Sequence, residues 1–484
     1  MVSLTPTDVC ILPDPARVIA RPFVPGQMGF GGANSRVDRI IARIRALTAD
    51  EVAAKVEETR NLSDNRHRDV ESSWVANGKS AIDLSRDGCH DITGERLVLL
   101  GMTFTQEYAF EAAALCNPSM VATGEADEAG RLPFVMSTRA IGEGHISSIG
   151  FRQGWVGEDG TLVMADPATW ATNGSRRAPA FDRASFRARL REVGAENHFS
   201  ESVLADLDAE FSLEELEKSL ARRARGDEVA AIRFETERAI HWLATSNYEV
   251  SYDVPLEERV LSPAGPAESE GMEDARFVRF VDDDGSVRYL ATYTAFDGFE
   301  ILPQIIETPD FETFRIATLA GVCARGKGMA IFPRRIHGDF VALARTDNES
   351  TFVMRSDRLR QWDVSELVLE PLESWELVQA GNCGSPIETD EGWLVLMHGV
   401  GPMRRYVLSA VLLDLDEPTK VLGRLRHPLL EPSQAQPRNG YVPNVVYSCG
   451  GLVHAGTLVV PYGESDTRIG VGTVPLSDVL AALA

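Results

Sequence analysis

From about residue 95 onward the chain is made of short apolar runs, and their length constrains its fold more than any other feature. RLVLLG, FVMSTRA, TLVMA, FVRFV, RYLATYTA, FVALAR, FVMRS, WLVLMHGV, YVLSAVLLDL, NVVYS and TLVVPYG recur, separated by Gly, Asp, Asn or Pro turns. Runs of ~4–8 residues rich in Val, Leu, Phe and Tyr are strand-length. The expectation is an all-β architecture, whether barrel, sandwich or propeller, since no strict sequence period separates the three.

Two regions break this texture. RVDRIIARIRALTADEVAAKVEETRNL spaces Ile40, Ile41, Ile44, Leu47 and Val52 for a helix face. Thr48 with Glu51 is a capping-box pair that restarts a helix there. Residues 1–94 are therefore expected to form an N-terminal helical extension, and 95–484 the β domain. The RHRD run at 66–69 reads as a solvated helix face or a domain contact. A helical insertion spans about 183–246, with a second capping box at Ser212 and Glu215. It walls part of a binding site or forms a contact in a homo-oligomer; the pattern leaves both open.

The chain carries 72 acidic and 48 basic residues, a formal net charge of -24. Neutralising nucleic-acid phosphates requires a basic surface, so nucleic acid is not an expected partner. The first residues contain no apolar core of a secretory signal, and no run reaches the ~18 apolar residues of a membrane span. A cytoplasmic location without membrane partners is the expectation. Cys10, Cys89, Cys116, Cys323, Cys383 and Cys449 show no paired or metal-type spacing and read as reduced thiols. No phosphate-binding loop, nucleophile elbow or HExxH occurs, and no metal or cofactor is expected.

Polar residues interrupt the apolar runs at five places: Asn117 and Ser119 with Arg139; Glu273, Asp274 and Arg276; Lys327 with Arg345; His398; and Asp466. Each has an ordinary structural use, as a turn, a snorkelling cation or a satisfied core histidine. Strand ends are also where β scaffolds carry binding groups.

Taken together, GMEDARF, AIFPRRIHGDFVALAR, SPIETDEGWLVLMHGV, YVLSAVLLDLDEPTKVLGR, YVPNVVYSCG and VPYGESDTRIGVG resemble, in order, family 130 of the glycoside hydrolases. These are mannoside phosphorylases and mannosidases built on a five-bladed β-propeller. The resemblance covers about residues 110–180 and 248–480, and leaves out the N-terminal region and the helical insertion. It implies that Asp274 is the general acid, passing its proton to the leaving oxygen through the sugar's 3-hydroxyl. Asn117, Ser119, Arg139 and Asp466 match positions that grip the sugar, with Glu273 and Arg276 beside the acid. Lys327, Arg345 and His398 match the phosphate cradle.

Three positions depart from the family pattern. Ala275 stands for the usual proline, Gly328 for asparagine and Gln379 for lysine. The implied activity is inverting phosphorolysis of a β-mannoside disaccharide or oligosaccharide, with inorganic phosphate as co-substrate and α-mannose 1-phosphate as product. Two alternatives stand beside it, an inverting β-mannosidase and a non-catalytic carbohydrate-binding propeller. The hydrolase needs a second carboxylate, for which Glu388 is the nearest in sequence. The acid itself must hold a proton near neutral pH. Burial and the neighbouring Glu273 are expected to raise its pKa, against Arg276.

Overall fold

In the computed structural model of the chain, residues 2–25, 33–85, 91–223, 230–432 and 440–483 are described, and the apolar runs pair mainly as antiparallel meanders. The molecule is mostly β with helices. Contacts divide it into two units: Met1–Pro13 with Ala113–Pro167 and Gly174–Ala484, and Asp14–Ala112 with Ala168–Asn173. The expected boundary at 94 falls at the start of helix Gly94–Thr103. Cys89 lies outside the described residues.

The smaller unit contains helices Ala33–Ala46, Ala49–Ser63, Glu71–Asp83 and Gly94–Thr103. Thr48 and Glu51 form the reciprocal capping box. The RHRD run is used within this unit, where Arg66 and His67 bond Glu107 and Arg68 lies over Trp170. One apolar run departs from expectation: RLVLLG belongs to helix Gly94–Thr103 rather than to a strand. A short run buried all round has no diagnostic period. This one packs so closely that a Cβ on Gly101 would fall on the Trp74 carbonyl.

In the larger unit a five-stranded sheet runs in the order Thr5–Ile11, Arg468–Pro475, Thr457–Glu464 and Val446–Tyr447, with Leu452–His454 also on Thr457–Glu464. The chain's first strand is thus antiparallel to its last. An eleven-stranded sheet holds two meanders, Ala114–Ala122 through Ser147–Val156 and Gly271–Val281 through Thr313–Thr318. Among the described residues their ladders are joined by the parallel pair Ser147 and Gly271. Lys327–Ile331 through Val364–Leu369 forms a four-stranded sheet, and Gln379–Asn382 through Val421–Arg424 a five-stranded one. Strands such as Gly392–Gly401 are buried along their whole length, which is why they read as continuous apolar runs instead of alternating ones.

The insertion folds as helices Arg183–Glu192, His198–Ala205, Leu213–Arg223 and Ala230–Thr245. Asp182 and Asn197 cap the first two, and Ser212 exchanges hydrogen bonds with Glu215 at the third. The helices share a core of Phe181, Phe186, Phe199, Phe211, Leu216 and Ile240. Asn247 accepts from the Thr318 amide, tying the insertion to the last strand of the Gly271–Thr318 meander.

Candidate active site

Three strands are bulged where the polar interruptions occur. The registers shift between Cys116 and Ser119, between Glu273 and Arg276, and between Lys327 and Ala330. A bulge re-aims one side chain out of the alternating pattern. At these sites Asn117 (φ 47°), Asp274 (φ 56°) and Gly328 (φ 87°) take left-handed backbone, as does Asp466 (φ 47°) after strand Thr457–Glu464. Asn and Asp tolerate that region better than most residues, and its use at functional sites is common.

These elements converge on a cavity of about 140 Å³. Asn117, Arg139, Asp274, Lys327, Arg345, Gln379, His398, Arg404, Tyr406, Val442, Val445, Tyr447 and Asp466 line it. Asp274 receives a hydrogen bond from Asn117 Nδ2 at 2.5 Å and another from Arg139 Nη1 at 3.3 Å. Arg139 Nη2 also donates to Glu273 at 2.7 Å, and Lys327 Nζ donates to the other Glu273 oxygen at 2.8 Å. Arg276 is fully buried behind the acid, donating to the Asp274 carbonyl, the Cys383 carbonyl and the Tyr447 hydroxyl. Ser119 accepts from the Phe277 amide. Ser119, Glu273 and Arg276 therefore sit behind the cavity wall, and Asn117, Arg139, Asp274, Lys327, Arg345, His398 and Asp466 face it.

The electrostatics differ from the sequence expectation. Burial does push Asp274 up, but Arg139, then Arg276 and Lys327, and the Asn117 hydrogen bond outweigh it and hold its pKa at about 2. Glu273 is itself ion-paired with Arg139 and Lys327. Asp466 goes the other way. Burial raises it to about 6 with help from Asp274, against the cations Arg139 and Arg404. His398 is held well below its usual pKa by burial and by Arg345 and Arg276, so it is a neutral imidazole rather than a third cation.

The substitution at Gly328 has a structural counterpart. A Cβ there would stand 3.1 Å from Arg345 Nε, on a backbone with φ 87°. A Cβ on Gly381 would stand 2.3 Å from Arg345 Cδ and 2.9 Å from His398 Cε1. The two glycines make room for the Arg345 side chain, and Asn382 steadies the bulge by donating to the Gly328 carbonyl at 2.8 Å. Gln379 reaches His398 Nε2 at 3.4 Å. Sequence reasoning missed Arg404, Tyr406 and Tyr447, which line the cavity from the Pro402–Arg404 turn and two neighbouring strands. The one available signal was GPMRRY, a polar interruption after an apolar run like those singled out.

Around this cavity Asn117 Oδ1, Arg345 Nε and Asp466 Oδ1 are buried with no hydrogen-bond partner among the described residues. Buried polar atoms are normally satisfied, so such a convergence marks a site built for a polar ligand. Carboxylate and amide groups share the lining with the cations Lys327 and Arg345. That arrangement suits a hydroxyl-rich molecule beside an anion.

A family profile described as beta-1,4-mannooligosaccharide phosphorylase matches residues 216–484. A 1,2-beta-oligomannan phosphorylase of Thermoanaerobacter sp. (strain X514) is 34% identical over 249 residues, 49% of this chain and 81% of that protein. A beta-1,2-mannobiose phosphorylase of Listeria innocua is 33% identical over 235 residues, 47% of this chain and 64% of that protein. The solved structure of a Listeria innocua beta-1,2-mannobiose phosphorylase with beta-1,2-mannobiose aligns at a TM-score of 0.46 and 23% identity. That alignment covers 77% of this chain and 92% of that one. With its profile match over more than half its length, the chain belongs to glycoside hydrolase family 130.

Proposed function

We propose that this protein is an inverting β-mannoside phosphorylase on a five-bladed β-propeller, with the N-terminal helices an appended unit that follows the first strand. Support for five blades comes from the three smaller sheets and the two meanders of the eleven-stranded sheet, and from the antiparallel pairing of the first strand with the last, which a closed ring would need. The observation that carries the activity is the cavity itself, with Asp274, Asn117, Arg139 and Asp466 set against Lys327 and Arg345.

Asn117, Arg139 and Asp466 hold the mannosyl ring by its hydroxyls. Phosphate is held by Lys327 and Arg345, with neutral His398 donating or accepting a hydrogen bond. A phosphate oxygen bonds to the anomeric carbon as the bond to the leaving oxygen breaks, and the configuration inverts. The Asp274 proton is delivered to the leaving oxygen through the sugar, and Asp274 is reprotonated from solvent afterwards. In the free protein the surrounding cations keep Asp274 ionised. Phosphate dianion beside Lys327 cancels part of that positive field and lets the carboxyl take up its proton, so binding of phosphate and readiness of the acid are linked. Glu388 is poorly suited to be a hydrolase's base, since Arg334 grips it at 2.6 and 3.0 Å and it lines a different cavity.

The test is incubation with β-mannobiosides, with and without phosphate, scoring mannose 1-phosphate. Phosphate-dependent formation of mannose 1-phosphate is expected, lost in Asp274→Asn by at least ~100-fold in kcat. Mannose release without phosphate overturns the reading, as does an active Asp274→Asn enzyme.

A further inference from the structure

Four second strands of the meanders contribute a polar cavity-lining residue within three residues of their C-terminal ends: Arg139, Arg345, His398 and Asp466. The fifth, Val287–Phe296, sends none among the described residues. Thr294 pairs with Glu273, so the turn Asp297–Glu300 begins three residues past the level of the acidic pair. At the tip of that turn Phe299 is 94% exposed, so its ring is open to a ligand.

Facing the turn is helix Ala230–Thr245 of the insertion. Between them runs a groove of about 780 Å³ lined by Ile232, Glu235, Trp242, Asp297, Phe299 and Glu300. Its size and its mixture of aromatic faces with a few polar groups are those of a small-molecule site.

We propose that this groove binds the acceptor-end sugars of β-mannooligosaccharide substrates, so that the helical insertion reads chain length. The inference rests on the proposed phosphorolysis. A cavity of about 140 Å³ has room for about one hexose ring, which is the ring that leaves as the sugar phosphate. The rest of the chain must pass over the rim, and the ladder from Glu273 to Phe296 leads toward this groove. Pyranose rings offer apolar C–H faces to Phe299 and Trp242 and hydroxyls to the carboxylates. Glu235, Asp297 and Glu300 outnumber Arg238, so a neutral sugar fits where a phosphorylated or other anionic ligand does not.

The test compares β-mannobiose with β-mannotetraose at saturating phosphate, using the full chain and its Phe299→Ala and Phe299→Tyr variants. Phe299 is exposed, so its truncation leaves no hole in the fold. The expected result is that Phe299→Ala lowers the ratio of kcat/KM for tetraose over biose by roughly three- to tenfold, through KM, and Phe299→Tyr restores it. An unchanged ratio overturns the proposal. If the ratio is unchanged but sedimentation shows that Phe299→Ala dissociates an oligomer, the groove is a contact between copies and the proposal is likewise wrong. Calorimetric titration of β-mannotetraose without phosphate keeps the two readings separable. Loss of tetraose binding in Phe299→Ala supports the groove even for an enzyme that phosphorolyses neither sugar, and undiminished binding refutes it.

Discussion

Asp466→Asn should stabilise the protein above pH 6 while impairing it as an enzyme. Asp466 lines the cavity on left-handed backbone, half-buried with its Oδ1 shielded from solvent, and its pKa is raised from 3.8 to about 6. A carboxyl with a raised pKa disfavours the folded state once it ionises. Its contribution is neutral below the unfolded pKa near 3.8, and stability is lost as pH rises through 6. A tenfold difference in proton affinity between the folded and unfolded states corresponds to about 1.36 kcal/mol. The ceiling on the penalty is therefore about 3 kcal/mol at pH 8, about half that at pH 5 and under about 1 kcal/mol at pH 4. Asparagine removes the charge, keeps the volume and accepts the same φ of 47°. For a chain with an unfolding entropy of ~1 kcal/mol/K, the gain is about 3 °C in Tm at pH 8. Scanning calorimetry of both proteins at pH 4, 5 and 8 provides the readout. A gain that is equal at pH 4 and pH 8, or a loss at pH 8, refutes the reasoning, because the Asp466 charge would then be compensated by Arg139 and Arg404. Asp274 has the opposite sign. Its depressed pKa contributes stability above pH 3.8 that is lost as pH falls through about 2.

Two further predictions concern the cavity wall. Arg404 lowers the pKa of Asp466, so Arg404→Ala should move the acid-side inflection of the kcat/KM profile for sugar upward from about 6; a fixed or downward-moving inflection would exclude this pairing. Gly381→Ala places a methyl 2.3 Å from Arg345 Cδ, so the guanidinium must move and the KM for phosphate should rise by roughly tenfold or more. An unchanged phosphate KM in a folded Gly381→Ala enzyme would show that Arg345 does not hold phosphate.

The polar groups of the site were legible in the sequence because each interrupts an apolar strand. Asn117, Asp274 and Asp466 are residues suited to left-handed backbone, and the bulges are where that backbone occurs. Ser119 and Arg276 stood in the same segments but serve the wall, and nothing in their local sequence distinguishes a side chain facing a cavity from one facing a backbone amide. Arg404 was missed because GPMRRY, although a polar interruption after an apolar run, looks locally like an ordinary exposed turn. Gly328 and Gly381 gain their meaning only from the distant Arg345 side chain.

By itself the sequence determined the β texture, the capped helices of the appended region and the insertion, and the identity of most groups that meet in the cavity. Run length, period and capping pairs are local properties, and local order suffices to encode them. Tertiary structure alone decided the charge states. Whether Asp274 or Asp466 has the raised pKa depends on cations from other strands, because Coulomb interactions follow distance in space and not separation along the chain. The same holds for the groove, whose walls are a turn and a helix well separated in sequence.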